Sequence, residues 1–198
     1  MAAVITSIIG LQNLPSLTDF NAEFNGLQSV NLSGLTNLLY VDISDNNFPG
    51  GSTKSLTSVN LTGSTAITQL RLDDSDFSAG IPNISGLTSL QSLDFDQCNI
   101  SGIVDLSGFP VLADLNFSLN TAITSIIIDD AQPILYFYAS GCDLTETAVD
   151  DILVVLSNNG NLNGYIGLDG GTNAIPSATG LAAKLVLEGN DWNVDVNS

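Results

Sequence analysis

A short apolar motif recurs along the chain. In its clearest copy, Leu-x-x-Leu-x-x-Val-x-Ile-x-x-Asn runs from Leu35 to Asn46. The central apolar position, here called the anchor, is occupied in successive copies by Phe20, Val41, Leu70, Leu93, Leu115 and Phe137. These anchors are 21, 29, 23, 22 and 22 residues apart, and we attribute the long interval to an insertion near residues 48–55. A repeat of this length predicts a solenoid, because one unit cannot bury its apolar stripe alone.

The residues around each anchor alternate between apolar and polar. Val41 and Ile43 are apolar, while Asp42 between them is charged. This period of two predicts a short strand with Asp42 pointing outward and the anchors stacked in a parallel sheet. A fainter second strand lies between anchors and leaves little room for a helix within each turn. Its centres are Val30, Val59 and Ile126.

Each motif copy ends, five residues after the anchor, in a short polar residue or a cysteine. This ladder column is Asn25, Asn46, Ser75, Cys98, Asn120 and Cys142. We expect these side chains to point inward and to satisfy backbone groups where the chain turns. Cys98 and Cys142 are two turns apart, or roughly 9–10 Å, which exceeds the limit of about 7 Å for a disulfide. We therefore expect two buried thiols.

Period and motif together resemble the leucine-rich repeat over roughly residues 5–144. Two near-copies per turn are similar to the short bacterial and bacteriophage type of this family. The resemblance implies a β-rich α/β solenoid, a right-handed superhelix of about six turns with a parallel sheet.

The repeat pattern ends after Cys142, and a helical period follows over residues 145–159. Apolar residues with this spacing are Val149, Ile152, Leu153 and Leu156. Thr147 with Asp150 forms a candidate capping box, and Gly160 is a candidate stop.

A second helix is predicted over residues 178–188 through Leu181, Leu185 and Val186, closed by Gly189. Short strands are predicted at 164–169 and 192–196.

We therefore predict two domains, a repeat solenoid over 1–144 and a C-terminal capping module over 145–198. The module resembles the closing units of repeat proteins from bacteriophages and environmental bacteria, some of which lie among tail or adhesion genes.

At the other end, Ile5 and Ile8 look like a truncated second strand with no helix or disulfide cap before them. Such an edge exposes strand hydrogen-bonding groups and core side chains. We expect it to pack on another chain or on a preceding domain.

The charge balance limits the classes of partner. The chain has 3 basic and 21 acidic residues, a net charge of −18, and its cations are Lys54, Arg71 and Lys184. So few cations argue against binding to nucleic acids or anionic membranes. The sequence has no apolar run of transmembrane length and no recognisable signal peptide. The family resemblance favours an extracellular or virion-surface location.

Signs of catalysis are scarce. The chain has no histidine, no Gly-x-Ser-x-Gly elbow, no phosphate-binding loop and no dinucleotide fingerprint. We expect neither an enzyme nor a cofactor, apart from a candidate calcium site at Asp73 and Asp96, which the register makes adjacent like charges.

The outward positions of the anchor strands hold the unusual chemistry. We predict a ligand-binding face there, with Arg71 between two aspartates and two tyrosines as aromatic anchors. Its residues are Tyr40, Asp42, Arg71, Asp73, Asp94, Asp96, Tyr136 and Tyr138.

The leading functional hypothesis is a non-catalytic scaffold that recognises a protein or a surface glycan. The resemblance implies a role in adhesion or in phage attachment to a host surface. An alternative is a carbohydrate-active enzyme on a β-solenoid that uses Asp73, Asp94 or Asp96. Ice binding is disfavoured, because the second-strand column is irregular: Asn31, Asn60, Val104 and Ile127.

Overall fold

The computed structural model describes residues 4–47 and 54–198. The protein is α/β, with short strands in parallel sheets and, in the described residues, two α-helices. Two compact units are present, Met1–Ile100 and Ser101–Ser198. Most of the predicted insertion at 48–55 lies outside the described residues.

In the first unit, strands β1, β3, β5 and β6 form a parallel sheet in that order, and β2 pairs with β4. Phe20 lies beside Val41, Val41 beside Leu70, and Leu70 beside Leu93, which confirms the predicted register within this unit. The strands are β1 (Asp19–Asn21), β2 (Ser29–Asn31), β3 (Tyr40–Asp42), β4 (Ser58–Asn60), β5 (Gln69–Arg71) and β6 (Ser92–Asp94). A 3₁₀ turn at Leu11–Asn13 precedes β1.

In the second unit, strands β8, β10, β11 and β12 form a parallel sheet in that order, and β7 pairs with β9. The strands are β7 (Ser101–Asp105), β8 (Asp114–Asn116), β9 (Ala122–Ile127), β10 (Tyr136–Tyr138), β11 (Tyr165–Leu168) and β12 (Asn193–Val196). The helices are α1 (Glu146–Asn158) and α2 (Ala178–Gly189).

The predicted capping module contributes two strands to this sheet. Phe137 on β10 lies beside Ile166 on β11, which lies beside Val194 on β12. Ile166 and Val194 are therefore further anchors that the sequence pattern did not reveal. The boundary predicted between 144 and 145 falls inside the second unit.

All six predicted anchors are buried, and the most exposed of them, Phe20, is only 8 % exposed. The alternation is responsible, because each three-residue strand turns one apolar side chain inward and two side chains outward. Elsewhere in the first unit's core, Phe77 packs edge-to-face on Phe95 at a centroid distance of 5.6 Å.

Ladder side chains form hydrogen bonds with backbone groups where the chain turns, and some of these bonds join successive turns. The Asn46 amide donates to the carbonyls of Ile43 in its own turn at 2.8 Å and of Ala22 in the preceding turn at 3.1 Å. Its Oδ1 accepts from the Leu27 N–H at 2.9 Å. The Cys142 thiol likewise donates to the carbonyl of Phe117 in the preceding turn at 3.2 Å.

The ladder differs from the prediction at two positions. Ser75 is fully buried, yet its hydroxyl has no hydrogen-bond partner within the described part of the chain. Asn173, which the sequence analysis missed, repeats the pattern of Asn46 after β11. Its amide donates to the carbonyls of Ala139 and Leu168, and its Oδ1 accepts from the Leu144 N–H.

Helix α1 buries the predicted apolar stripe, but its N-terminal cap is Thr145. The Thr145 hydroxyl accepts from the Ala148 N–H at 3.2 Å, so the predicted capping box of Thr147 and Asp150 is wrong. The chain turns away at Gly160, which has a φ of 71° that glycine adopts without strain.

Helix α2 buries a different face from the one predicted. Gly180, Ala183 and Leu187 are buried, whereas the predicted stripe of Leu181, Leu185 and Val186 is 46–70 % exposed. The reason is close packing on α1. A Cβ at Gly180 would lie 2.1 Å from Asp150 Oδ1, and that carboxylate also accepts from the N–H and hydroxyl of Ser177 at the start of α2.

The ladder hydrogen bonds predict unequal effects of two substitutions in one column. Asn46→Ala leaves buried backbone groups without partners and should lower the free energy of unfolding by about 3 kcal/mol. Ser75→Ala removes a hydroxyl that has no partner and should change it by less than about 0.5 kcal/mol. Denaturant unfolding measures both. Equal losses would contradict the role assigned to the Asn46 amide.

The cysteines predict a second result. Cys98 and Cys142 are both buried, and burial raises the pKa of the Cys98 thiol well above its usual range. A thiol reagent should therefore react slowly with the native protein and should count two thiols after denaturation without reductant. Rapid native reaction, or fewer than two thiols on unfolding, would show that the assigned packing is wrong.

Candidate functional site

We call one surface of each unit the anchor face. It consists of the outward side chains of the anchor strands and of the outward side chains that lie two residues beyond each strand. In the first unit it carries six predicted site residues. Tyr40 and Asp42 lie on β3, Arg71 on β5 and Asp94 on β6, and Asp73 and Asp96 lie two residues beyond the ends of β5 and β6. In the second unit it carries Tyr136 and Tyr138 on β10.

Arg71 is the centre of the face in the first unit. Its guanidinium lies 3.4 Å from Asp42, 3.7 Å from Asp73 and 3.8 Å from Asp94. The predicted ion pairs are therefore confirmed, and Asp73 joins them. Burial lowers the pKa of Arg71, but the surrounding carboxylates outweigh it and raise the pKa. Because Arg71 is 44 % exposed, each of these ion pairs contributes little to stability.

Asp42 is not the exposed carboxylate that the sequence predicted. It is only 1 % exposed. Oδ1 accepts from the Ser44 hydroxyl at 2.6 Å, and Oδ2 accepts from the Tyr40 hydroxyl at 2.9 Å. Its side chain points to the expected side of the sheet, but neighbouring side chains cover it. Asp42 therefore holds its neighbours in position and is not itself exposed to a ligand.

Asp73 is the most perturbed carboxyl of the face. Burial, followed by the charge of Asp94, raises its pKa to about 6, against the opposing effect of Arg71. One of its oxygens is buried with no hydrogen-bond partner in the described residues. The sequence predicted Asp96 as the like charge beside Asp73, but Asp94 is the one that raises its pKa most.

The pKa of Asp96 is set by other neighbours. Burial raises its pKa, opposed by a hydrogen bond from Gln97 at 3.2 Å and supported by the charge of Asp74. Within residues 4–47 and 54–198, no group of three or more histidine, cysteine or acidic side chains is arranged to hold a metal ion.

The first unit contains a second acidic group, which was not predicted from the sequence. Lys54 pairs with Asp74 at 3.6 Å, and the pKa of Asp45 is raised by burial and then by Asp74. Asp45 and Asp74 lie in the turns that follow β3 and β5, where the motif imposes no residue type, and Lys54 lies in the predicted insertion.

In the second unit the face is aromatic. Tyr136 is 45 % exposed, and the Tyr138 ring packs on the Tyr165 ring with centroids 5.0 Å apart. The Tyr165 hydroxyl donates to Asp195 Oδ2 at 2.8 Å. That hydrogen bond, followed by burial, raises the pKa of Tyr165 to about 12.

Neither Tyr165 nor Asp195 was predicted as a site residue. The signal was present in the alternation of Tyr165, Ile166, Gly167 and Leu168, which matches that of an anchor strand. Gly167 leaves room for the Tyr165 ring, since a Cβ there would lie 3.1 Å from Tyr165 Cε1.

At the N-terminal end of the first unit, Ile5 is 47 % exposed and Ile9 is 91 % exposed. The contact of this edge with another chain or domain stays a prediction.

No protein-family model matches the chain, and no curated protein sequence matches it. Among the described residues, no helix is both long and apolar enough to cross a bilayer.

The raised pKa of Asp73 predicts a pH-dependent effect on stability. The folded state holds this proton more tightly than the unfolded state, whose pKa is near 3.8, so stability is lost as the pH rises from about 4 to about 6. Asp73→Asn should therefore gain stability relative to wild type across that range, measured by denaturant unfolding at several pH values.

Asp105→Asn is the matched control. Hydrogen bonds from the Ser107 N–H and hydroxyl lower the pKa of Asp105. The Asp105→Asn variant should therefore lose stability relative to wild type as the pH rises through the range in which ordinary carboxyls ionise. Parallel pH profiles for the two variants would contradict the assignment for Asp73.

Proposed function

We propose that the chain is a recognition scaffold without catalytic activity and that its anchor face binds a protein or a surface glycan. In this proposal the chain is a right-handed leucine-rich-repeat superhelix of about six turns. It acts in adhesion or in phage attachment, outside the cell or on a virion. The observation that carries the proposal is the partly exposed tyrosine group on β10 and β11.

Preorganisation of the tyrosine side chains supports this proposal. Aromatic side chains supply a large contact area at a low cost in conformational entropy, and they dominate many binding surfaces. Here Tyr138 is packed against Tyr165, which is itself hydrogen-bonded to Asp195. A ligand would therefore have little side-chain motion to restrict on binding.

The second-strand side offers less to a ligand. Asn31 and Asn60 both lie there, but their Oδ1 atoms accept from the N–H groups of Ser33 and Thr62 at 3.1 Å. These amide oxygens already accept hydrogen bonds within their own turns. The anchor face therefore offers more side-chain groups for binding a ligand.

One observation favours a carbohydrate-active enzyme as the second candidate. A carboxyl with a pKa near 6, such as Asp73, suits a general acid. However, Asp73 and Asp94 both lie within 4 Å of Arg71, an arrangement also expected of a purely structural cluster. Hydrolysis of a glycan that is abolished by Asp73→Asn would establish this candidate.

A binding screen against glycans and surface proteins tests the main proposal. For any ligand found, Tyr136→Ala combined with Tyr138→Ala should weaken binding by at least about 1 kcal/mol. The control is Asn31→Ala with Asn60→Ala, and thermal unfolding checks that each variant is folded. If the asparagine variant loses binding and the tyrosine variant does not, the binding surface is on the other side.

Calcium is the candidate cofactor of the proposal. If it takes part, Asp73→Asn with Asp96→Asn should remove the dependence of binding on added calcium, measured by titration in chelated buffer. Binding that depends equally on calcium in this variant and in wild type would exclude these two carboxylates.

A further inference from the structure

The first unit shows how a guanidinium binds to the anchor face. The Tyr40 hydroxyl donates to Asp42 Oδ2 at 2.9 Å, and Arg71 Nη1 lies 3.4 Å from the same oxygen. The tyrosine holds the carboxylate in place, and the arginine, which comes from the neighbouring strand, neutralises it.

The second unit contains a similar tyrosine–aspartate pair. Tyr165 on β11 donates to Asp195 on β12 at 2.8 Å. No cation of the described residues forms an ion pair with Asp195. Lys184, the only cation in residues 101–198, is held by Glu188 and by the Val194 carbonyl.

The surroundings of this pair favour a cation. Residues 101–198 contain 12 acidic residues and one basic residue, a net charge of −11. Asp169, which accepts from the Ser140 hydroxyl at 2.8 Å, is exposed near the pair. The Tyr138 ring lies against the Tyr165 ring, and an aromatic face attracts a cation.

A cavity of about 430 Å³ lies beside β12 and is large enough for a side chain. Asp169 and Asp195 supply its acidic wall, and Ile175, Leu181 and Val196 supply apolar surface. Lys184 also lines the cavity, with its charge offset by Glu188. Carboxylates beside apolar surface match arginine, which has an apolar stem and a planar cation that binds carboxylates.

We propose that Asp195, held by Tyr165, whose ring packs on that of Tyr138, and sharing the cavity wall with Asp169, binds an arginine side chain of a partner polypeptide. This inference rests on the proposed recognition function and specifies the chemistry of the partner. A phosphate or sulfate group would be repelled by the acidic surroundings, and a neutral sugar would gain nothing from them.

The test uses the full chain and two peptides of identical length. The first, Gly-Ser-Arg-Ser-Arg-Ser-Gly with blocked ends, carries arginine, and the second replaces each arginine with neutral, similarly shaped citrulline. Calorimetric titration at low ionic strength should give at least about tenfold weaker binding for the citrulline peptide. NMR should show shifts of the ring protons of Tyr138 and Tyr165 with the arginine peptide.

Single substitutions locate the site. Asp195→Asn should weaken binding of the arginine peptide about fivefold or more, and Tyr138→Leu should weaken it more than Tyr138→Phe, which keeps the ring. Asp130→Asn removes the same charge from an exposed loop outside the anchor face and should change binding less than about twofold. If Asp195→Asn fails to fold, Asp169→Asn takes its place.

The outcomes separate this inference from the proposed function. Equal losses from Asp195→Asn and Asp130→Asn would mean diffuse charge attraction only and would overturn the arginine site. Failure of the arginine peptide, alongside a glycan whose binding depends on Tyr136 and Tyr138, would overturn the arginine site and leave the recognition face intact. No ligand of either kind on the anchor face would overturn both.

Discussion

The hydrogen bonds of the ladder side chains are the interaction on which the anchor strands depend. Each anchor strand is only three or four residues long, so the chain exits the sheet after very few strand hydrogen bonds. The backbone groups at these exits are buried and need partners. Asn46 and Asn173 provide them, each by donating to two turns and accepting from a third backbone group.

This arrangement also orders the surface. Because the exits are tied from one turn to the next, neighbouring strands keep a single register, and their outward side chains stand in rows. In the first unit, Arg71 forms ion pairs with three carboxylates of these rows. In the second unit the corresponding surface is aromatic and acidic, with no cation on Asp195 among the described residues. The anchor strands of the two units therefore carry different surface chemistry.

Much of this organisation could be predicted from the sequence, because a strand with a period of two leaves a clear pattern. The anchors and most of the ladder column followed from it. Asn173 could not be found in this way, since it lies five residues after Leu168, whereas Asn46 lies three after Ile43. Gly170 and Gly171 occupy the longer turn, and Gly171 packs so closely that a Cβ would lie 2.6 Å from Gly141 Cα.

The predictions for Asp42 and for the buried face of α2 were wrong because both depend on contacts between elements. A residue pattern along one element does not encode such contacts. The burial of Asp42 depends on Tyr40 and on Arg71 from the next strand. The buried face of α2 depends on the close approach of Gly180 to α1, and glycine adds nothing to an apolar stripe.

Amide hydrogen exchange tests the central role of the ladder most directly. The Leu27 and Leu144 amides donate to side-chain oxygens of Asn46 and Asn173 and not to a strand. If the ladder holds the turns together, both amides should exchange as slowly as those within the anchor strands. Exchange as fast as that of the Ser33 amide, which donates to Asn31 in an exposed turn, would contradict the account.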